Sequence, residues 1–268
     1  MESQLTRPAQ WPDPNWGSSP AGIYEARAGC PADCWSCSPP AGRPWRTRWS
    51  TALYRRGSFL FRFLFNGIAR VRGLFVHHYR TLDTTDEYLT AHIRHFGKVR
   101  WWHGYHRVFN LVSHFHPTKA PDTLKVLSIG PRTEMEFYYL WLFFGFRWKN
   151  LSGADLVSTH PQIFCADMSR KLPFEDNSFD VIIACHALEK SRDPQRTRDE
   201  IRRVARPAAK ILIGGDRKVR DAKAPIPVIF FEEGAHSFVD LYGLSLQDIE
   251  YFDARSPHGY EIIFKVAK

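Results

Sequence analysis

The stretch KVLSIGPRTE, Lys125 to Glu134, decides how the rest of the chain is read. Val126, Leu127 and Ile129 form a short apolar run that enters a turn at Gly130, the pattern of a buried strand that delivers its chain to a loop. That loop carries one glycine, so the chemistry it serves has to be sought in the residues around it.

Downstream, apolar runs of strand length alternate with helical segments. NLSGADL, PQIFCADM, FDVIIACHAL and AKILIGGD read as further strands, while EMEFYYLWLFFGF and RDEIRRVA read as helices. This βαβ alternation implies a parallel sheet wound on both faces. The end of the sequence adds a helix in AHSFVDLYGL and two strands, DIEYFDA and YEIIFKVAK, which the turn SPHG closes as an antiparallel pair. This unit spans 121–268.

Upstream, residues 49–120 are basic and aromatic at helical spacing, read as two or three helices forming a lid. Thr84 and Glu87 have the spacing of a capping box at the start of one of them. Residues 1–48 are rich in Pro, Gly, Ser and Trp without periodicity, the composition of a flexible arm.

Composition sets the outer limits. A chain of 268 residues with 44% hydrophobic and 15% aromatic content can bury a full core. The net charge of +9, crowded as arginine upstream of residue 108, suits an anionic small molecule, membrane headgroups or nucleic acid, or simply a solvated basic surface. The longest apolar candidate, FLFRFLF at 59–65, is too short to span a bilayer and carries Arg62, though its arginines permit peripheral membrane contact. The first twenty residues have no apolar core of a secretory signal, which gives a cytoplasmic expectation.

Cys30, Cys34 and Cys37 are spaced C-x3-C-x2-C, which can hold three irons of a four-iron cluster and resembles the radical S-adenosylmethionine signature. Ser36 replaces the aromatic residue usual before the last cysteine, and no run of βα units follows directly. A zinc site completed from elsewhere, or incidental cysteines in a tail, are the other readings, and no metal site is assigned.

In an open parallel sheet, ligands sit beyond the carboxyl ends of the strands. There the sequence offers Gly130, where a ligand can approach the backbone, Asp155, which can accept from ribose hydroxyls, and Asp167, which can accept from an adenine amino group. A dinucleotide loop would need G-x-G-x-x-G, whereas this one has Arg132, Thr133 and Glu134. Glu134 would repel a phosphate but accept a cationic amino-acid tail.

Between Thr123 and Asp216 the sequence resembles the class I S-adenosylmethionine-dependent methyltransferases of the small-molecule type, through VLSIGPRTE, GADL, ADMSRKLPFEDNSFDVIIACHALEK and EIRRVARPAAKILIGGD. The resemblance implies a Rossmann-like, doubly wound, mostly parallel seven-stranded α/β sheet with the helical lid before it. It implies S-adenosylmethionine as cofactor, held by Ile129, Gly130, Pro131 and Glu134 at the methionine end, Asp155 and Leu156 at the ribose, and Asp167 and Met168 at the adenine. His186 would face the reacting methyl group as a candidate base, with His103, His106 and His114 of the lid as alternatives. The acceptor would be a small molecule, an anionic sugar or lipid-like compound.

The sequence departs from the family at Ser128, where an acidic residue is usual, at Arg132 and Glu134, at Lys190, and at PAA (207–209) in place of a Pro-Gly-Gly turn. A scaffold that has lost catalysis is therefore an alternative, as is the cysteine-centred metal protein. Nucleic-acid methylation, suggested by Trp101, Trp102 and Tyr105 beside Arg100 and Arg107, ranks last because no N-P-P-Y motif is present.

Overall fold

The computed structural model describes residues 80–96, 105–131, 133–215, 241–242, 248–253 and 260–266, together with Gly67 and Val71. The proposed arm, Cys30, Cys34 and Cys37, the aromatic stretch at 59–65 and the turn SPHG lie outside the described residues.

The elements run β1 (Arg80–Thr81), α1 (Glu87–Phe96), α2 (Tyr105–Ser113), β2 (Val126–Ile129), α3 (Met135–Phe144), β3 (Leu151–Asp155) and β4 (Val157–Ser158). Then follow β5 (Ile163–Cys165), β6 (Phe179–Cys185), α4 (Pro194–Val204), β7 (Ala205–Gly215), β8 (Ile249–Asp253) and β9 (Tyr260–Lys265). Seven of the strands form one sheet in the order β5-β3-β2-β6-β7-β9-β8. Its first five strands are parallel, and β9 runs antiparallel to both β7 and β8. The expected α/β sheet, mostly parallel and wound on both faces, is the observed one.

Alternation along the strands sends successive side chains to opposite faces. Val126, Val181, Ile183, Leu212 and Ile263 pack with α2 and α3, through Leu111, Val112, Phe137 and Leu140. Leu127, Ile182, Ile211, Ile213 and Phe264 pack on the other face with Ile201 and Val204 of α4. Phe137 and Leu140 are fully buried, and each such side chain contributes about 1.5–3 kcal/mol by leaving water.

α3 is apolar all round because it is covered twice, by the sheet and by α2. The ring of Phe109 lies 5.7 Å from Phe143 and 5.0 Å from Phe144. α2 is thus a layer of the core. α3 ends at Gly145, whose φ of 78° lets its N–H turn back to the Leu140 carbonyl, a left-handed stop that suits glycine.

One cap differs from the sequence reading, and one turn holds a left-handed residue. At α1 the cap is Asp86, whose Oδ1 accepts from the Leu89 N–H at 3.2 Å, while Thr84 accepts from the Asp86 N–H. In the PAA turn the positive φ, 65°, falls on the exposed Ala208 and not on the last residue, Ala209, which is buried. The β6–β7 register jumps there from Phe179–Ala205 to Val181–Lys210, so residues 206–209 form the irregular entry to the strand.

Candidate functional site

The site is built by register. Ile129 pairs with Ala154 on one side and Ala184 on the other, and Asp155 pairs with Cys165, so β2, β3, β5 and β6 end at one level. The residues just past those ends, Gly130, Leu156, Ala166, Asp167 and His186, consequently surround one cleft, with Asp155 at the last position of β3. The cleft spans about 610 Å³ of space that includes its opening to solvent.

Gly130 sits at φ 72° with its N–H donating to the Ala154 carbonyl at 2.8 Å. A Cβ added there would lie 2.7 Å from that of Ala187, so the close approach of two strand-end turns requires glycine. Asp155 Oδ1 accepts from the Leu156 N–H at 2.6 Å, which orients the carboxylate at the tip of β3. Asp167 is 8% exposed, and its Oδ1 accepts from the Ser169 N–H at 2.8 Å. Ile129, Ala154, Leu156, Ala166 and Met168 add apolar wall between the carboxylates.

His186 leaves β6 at φ 55°, a left-handed conformation that costs a non-glycine residue of order 1 kcal/mol and is held by its N–H bond to the Gly214 carbonyl at 2.6 Å. Its Nδ1 lies 2.9 Å from Nη1 of Arg107 on α2 and 3.7 Å from Oε1 of the buried Glu189. The Lys190 ammonium donates to the His186 carbonyl. Lys190 and Arg192 line the cleft beside the histidine.

The outer wall comes from α1, a contribution that the sequence reading missed. Residues 80–82 are pinned next to the cleft, with β1 pairing antiparallel to β4 and the Leu82 N–H donating to the Leu156 carbonyl at 2.8 Å. From that anchor α1 presents Tyr88, Leu89 and His92 to the cleft. Tyr88 donates its hydroxyl to the Lys190 carbonyl at 2.9 Å, and burial pushes its phenol up to about 12, so it stays protonated. Arg192 lies 5.1 Å over the Tyr88 ring and pairs with Asp86. Tyr88 and His92, four residues apart after a cap, were the available signal in the sequence.

Other expected residues stand elsewhere. Pro131 packs against Gly153, and Glu134, 1% exposed, accepts from the Thr159 hydroxyl at 2.5 Å instead of lining the cleft. Its carboxylate joins the loop to the segment between β4 and β5. Ser128 donates to the buried Glu136 of α3, so the carboxylate beneath this loop comes from the helix and not from the strand. Among the alternatives to His186, His114 lies outside the cleft wall, and His103, the side chain of His106 and Arg132 lie outside the described residues. Among the described residues no group of His, Cys, Asp and Glu could hold a metal ion.

Residues 147–213, from the approach to β3 through most of β7, match the family described as "Methyltransferase domain". That match takes in β3, β5, β6, α4 and most of β7, with the strand-end loops between them. Solved structures similar to this chain include an S-adenosylmethionine-dependent methyltransferase from Aquifex aeolicus, at 15% identity and TM-score 0.43 over 60% of this chain and 89% of that one. Another is the 1,6-didemethyltoxoflavin-N1-methyltransferase of Burkholderia thailandensis with bound 1,6-didemethyltoxoflavin and S-adenosylhomocysteine, at 14% identity and TM-score 0.47 over 71% and 95%. A third comes from Mesorhizobium loti, at 12% identity and TM-score 0.40 over 59% and 96%. No curated protein matches the chain by sequence. No described helix of this chain is long and apolar enough to cross a membrane.

Proposed function

We propose that the protein is an S-adenosylmethionine-dependent methyltransferase acting on a small molecule. The observation that carries this reading is the convergence of Gly130, Asp155 and Asp167 from three successive strand ends on one cleft. The residues present fit the cofactor. Asp155 would accept from the ribose hydroxyls and Asp167 from the adenine amino group, with Leu156 and Met168 against the ring system and Ile129 and Gly130 toward the methionine end.

When bound, S-adenosylmethionine would supply a methyl group on a positively charged sulfur, already activated for displacement. The chain's part is alignment and exclusion of water. Asp155 and Asp167 would hold the adenosine end, and Gly130 and Ala187 would lie against the bound cofactor. α1, held by Asp86 and Arg192, covers the cleft with Tyr88, Leu89 and His92. His186, Lys190 and Arg192 mark the end where the acceptor would enter.

Titration calorimetry with S-adenosylmethionine and S-adenosylhomocysteine tests this reading, with Asp155→Ala measured alongside. Micromolar binding in the wild type and its loss in the variant are expected. A folded wild-type protein that binds neither compound would overturn the cofactor assignment and favour a scaffold of this fold.

A further inference from the structure

The contact between Arg107 and His186 fixes more than a position. A guanidinium carries only N–H donors and remains protonated, so a separation of 2.9 Å between its Nη1 and His186 Nδ1 requires the lone pair of Nδ1. Glu189 Oε1, the nearest carboxylate oxygen among the described residues, stands 3.7 Å from the same nitrogen, beyond hydrogen-bond reach. Lys190 donates to the His186 carbonyl. A doubly protonated imidazole would turn an N–H toward Arg107 and place two cations in contact. The neutral ring consistent with the geometry carries its proton on Nε2.

We infer that Arg107 holds His186 in the Nε2–H form, so that His186 donates a hydrogen bond to a carbonyl or oxyanion oxygen of the acceptor instead of removing the acceptor's proton. This role rests on the methyltransferase reading of the cleft, which His186 lines. Its neighbours are of the same kind. Lys190 and Arg192 are donors without acceptor capacity, and Tyr88 is kept protonated. Glu189 and Asp86 partly balance the two cations, at 3.9 Å from Lys190 and in the pair with Arg192. An acceptor that presents lone pairs to this wall is complementary to it, and its reacting atom has to arrive unprotonated or lose its proton to another group. Arg107 is a positioning residue here, acting through the histidine.

The test reads the tautomer directly and needs no acceptor. Full-length protein labelled with nitrogen-15 in histidine is examined near neutral pH by long-range proton–nitrogen correlation, and His186→Gln identifies the signal by its loss. The expected result is a bare Nδ1 and a protonated Nε2. Arg107→Lys, which keeps a donor, should preserve that pattern, and Arg107→Met should shift it toward a mixture of tautomers. A protonated Nδ1 in the wild type would overturn the inference, as would an unchanged spectrum in a folded Arg107→Met protein. These outcomes are independent of the calorimetric result, so failure of either reading is recognised separately. With an acceptor in hand, His186→Gln keeps an N–H donor and should lose about tenfold or less in kcat/KM. A loss of about 10²–10⁴-fold together with a vanished acidic limb in the pH profile is the signature of a general base and would also overturn it.

Discussion

Gly130→Ala tests the geometry on which the cleft depends. Two costs are worked from the structure. The backbone at φ 72° is left-handed, which costs an L-residue about 1–2 kcal/mol, offset in part by about 0.4–1 kcal/mol from the smaller entropy of the unfolded alanine chain. The new Cβ would lie 2.7 Å from the Ala187 Cβ, roughly 1 Å inside normal carbon contact, and relief of that overlap by moving the buried 186–188 turn costs about 1–3 kcal/mol. The net expectation is a destabilisation of about 2–4 kcal/mol, a large share of the stability of a typical domain. Urea unfolding followed by tryptophan fluorescence measures it, and the nine tryptophans give ample signal. The double variant Gly130→Ala with Ala187→Gly removes the overlap while leaving the φ cost, so it should be less destabilised than the two single variants predict together by about 1–3 kcal/mol. Cofactor binding should weaken in parallel because both residues line the cleft. A single variant costing less than about 0.5 kcal/mol, or strict additivity in the double, would refute the close approach of the two turns.

Two further outcomes follow from local geometry. Ala208→Gly removes the left-handed cost from an exposed residue and should stabilise the protein by about 0.5–1 kcal/mol after the entropy of glycine is counted, and a destabilisation in the urea midpoint would refute that account. Arg203 binds the Glu200 and Asp176 carboxylates and the Leu172 and Phe174 carbonyls, so Arg203→Met should cost about 1–3 kcal/mol. Burial raises the Glu200 carboxyl, but its bonds from Arg203 and from the Leu172 N–H outweigh that and hold it below its ordinary value of 4.5. A lowered carboxylate contributes stability that is fully present above the unfolded value and fades as pH falls through the folded one. The wild type should therefore lose this contribution below about pH 4.5, and urea midpoints measured across the acid range should fall less steeply in Arg203→Met.

The sequence by itself determined the sheet and the half of the cleft built from its strand ends. Apolar runs of strand length separated by helices allow little except a parallel sheet, and in such a sheet the residues just after each run share one edge. Gly130, Asp155, Asp167 and His186 could therefore be placed together from their positions along the chain, since strand register is set by burial of the alternating side chains.

Tertiary structure alone decided what faces those residues. α2 and α1 look alike as basic, aromatic helical segments, yet Leu111 and Val112 of α2 are buried against the sheet while Tyr88 and His92 of α1 line the cleft. Nothing local distinguishes them, because the difference is which partner each apolar stripe meets. Glu134 has the composition of a ligand-facing loop residue but bonds to Thr159, which is distant in sequence and adjacent only after β3 and β4 form. The same holds for His186, whose protonated nitrogen is set by Arg107 of α2, a donor 79 residues away. Side-chain roles that depend on one long-range hydrogen bond leave no periodic trace in a sequence, whereas burial of a strand does.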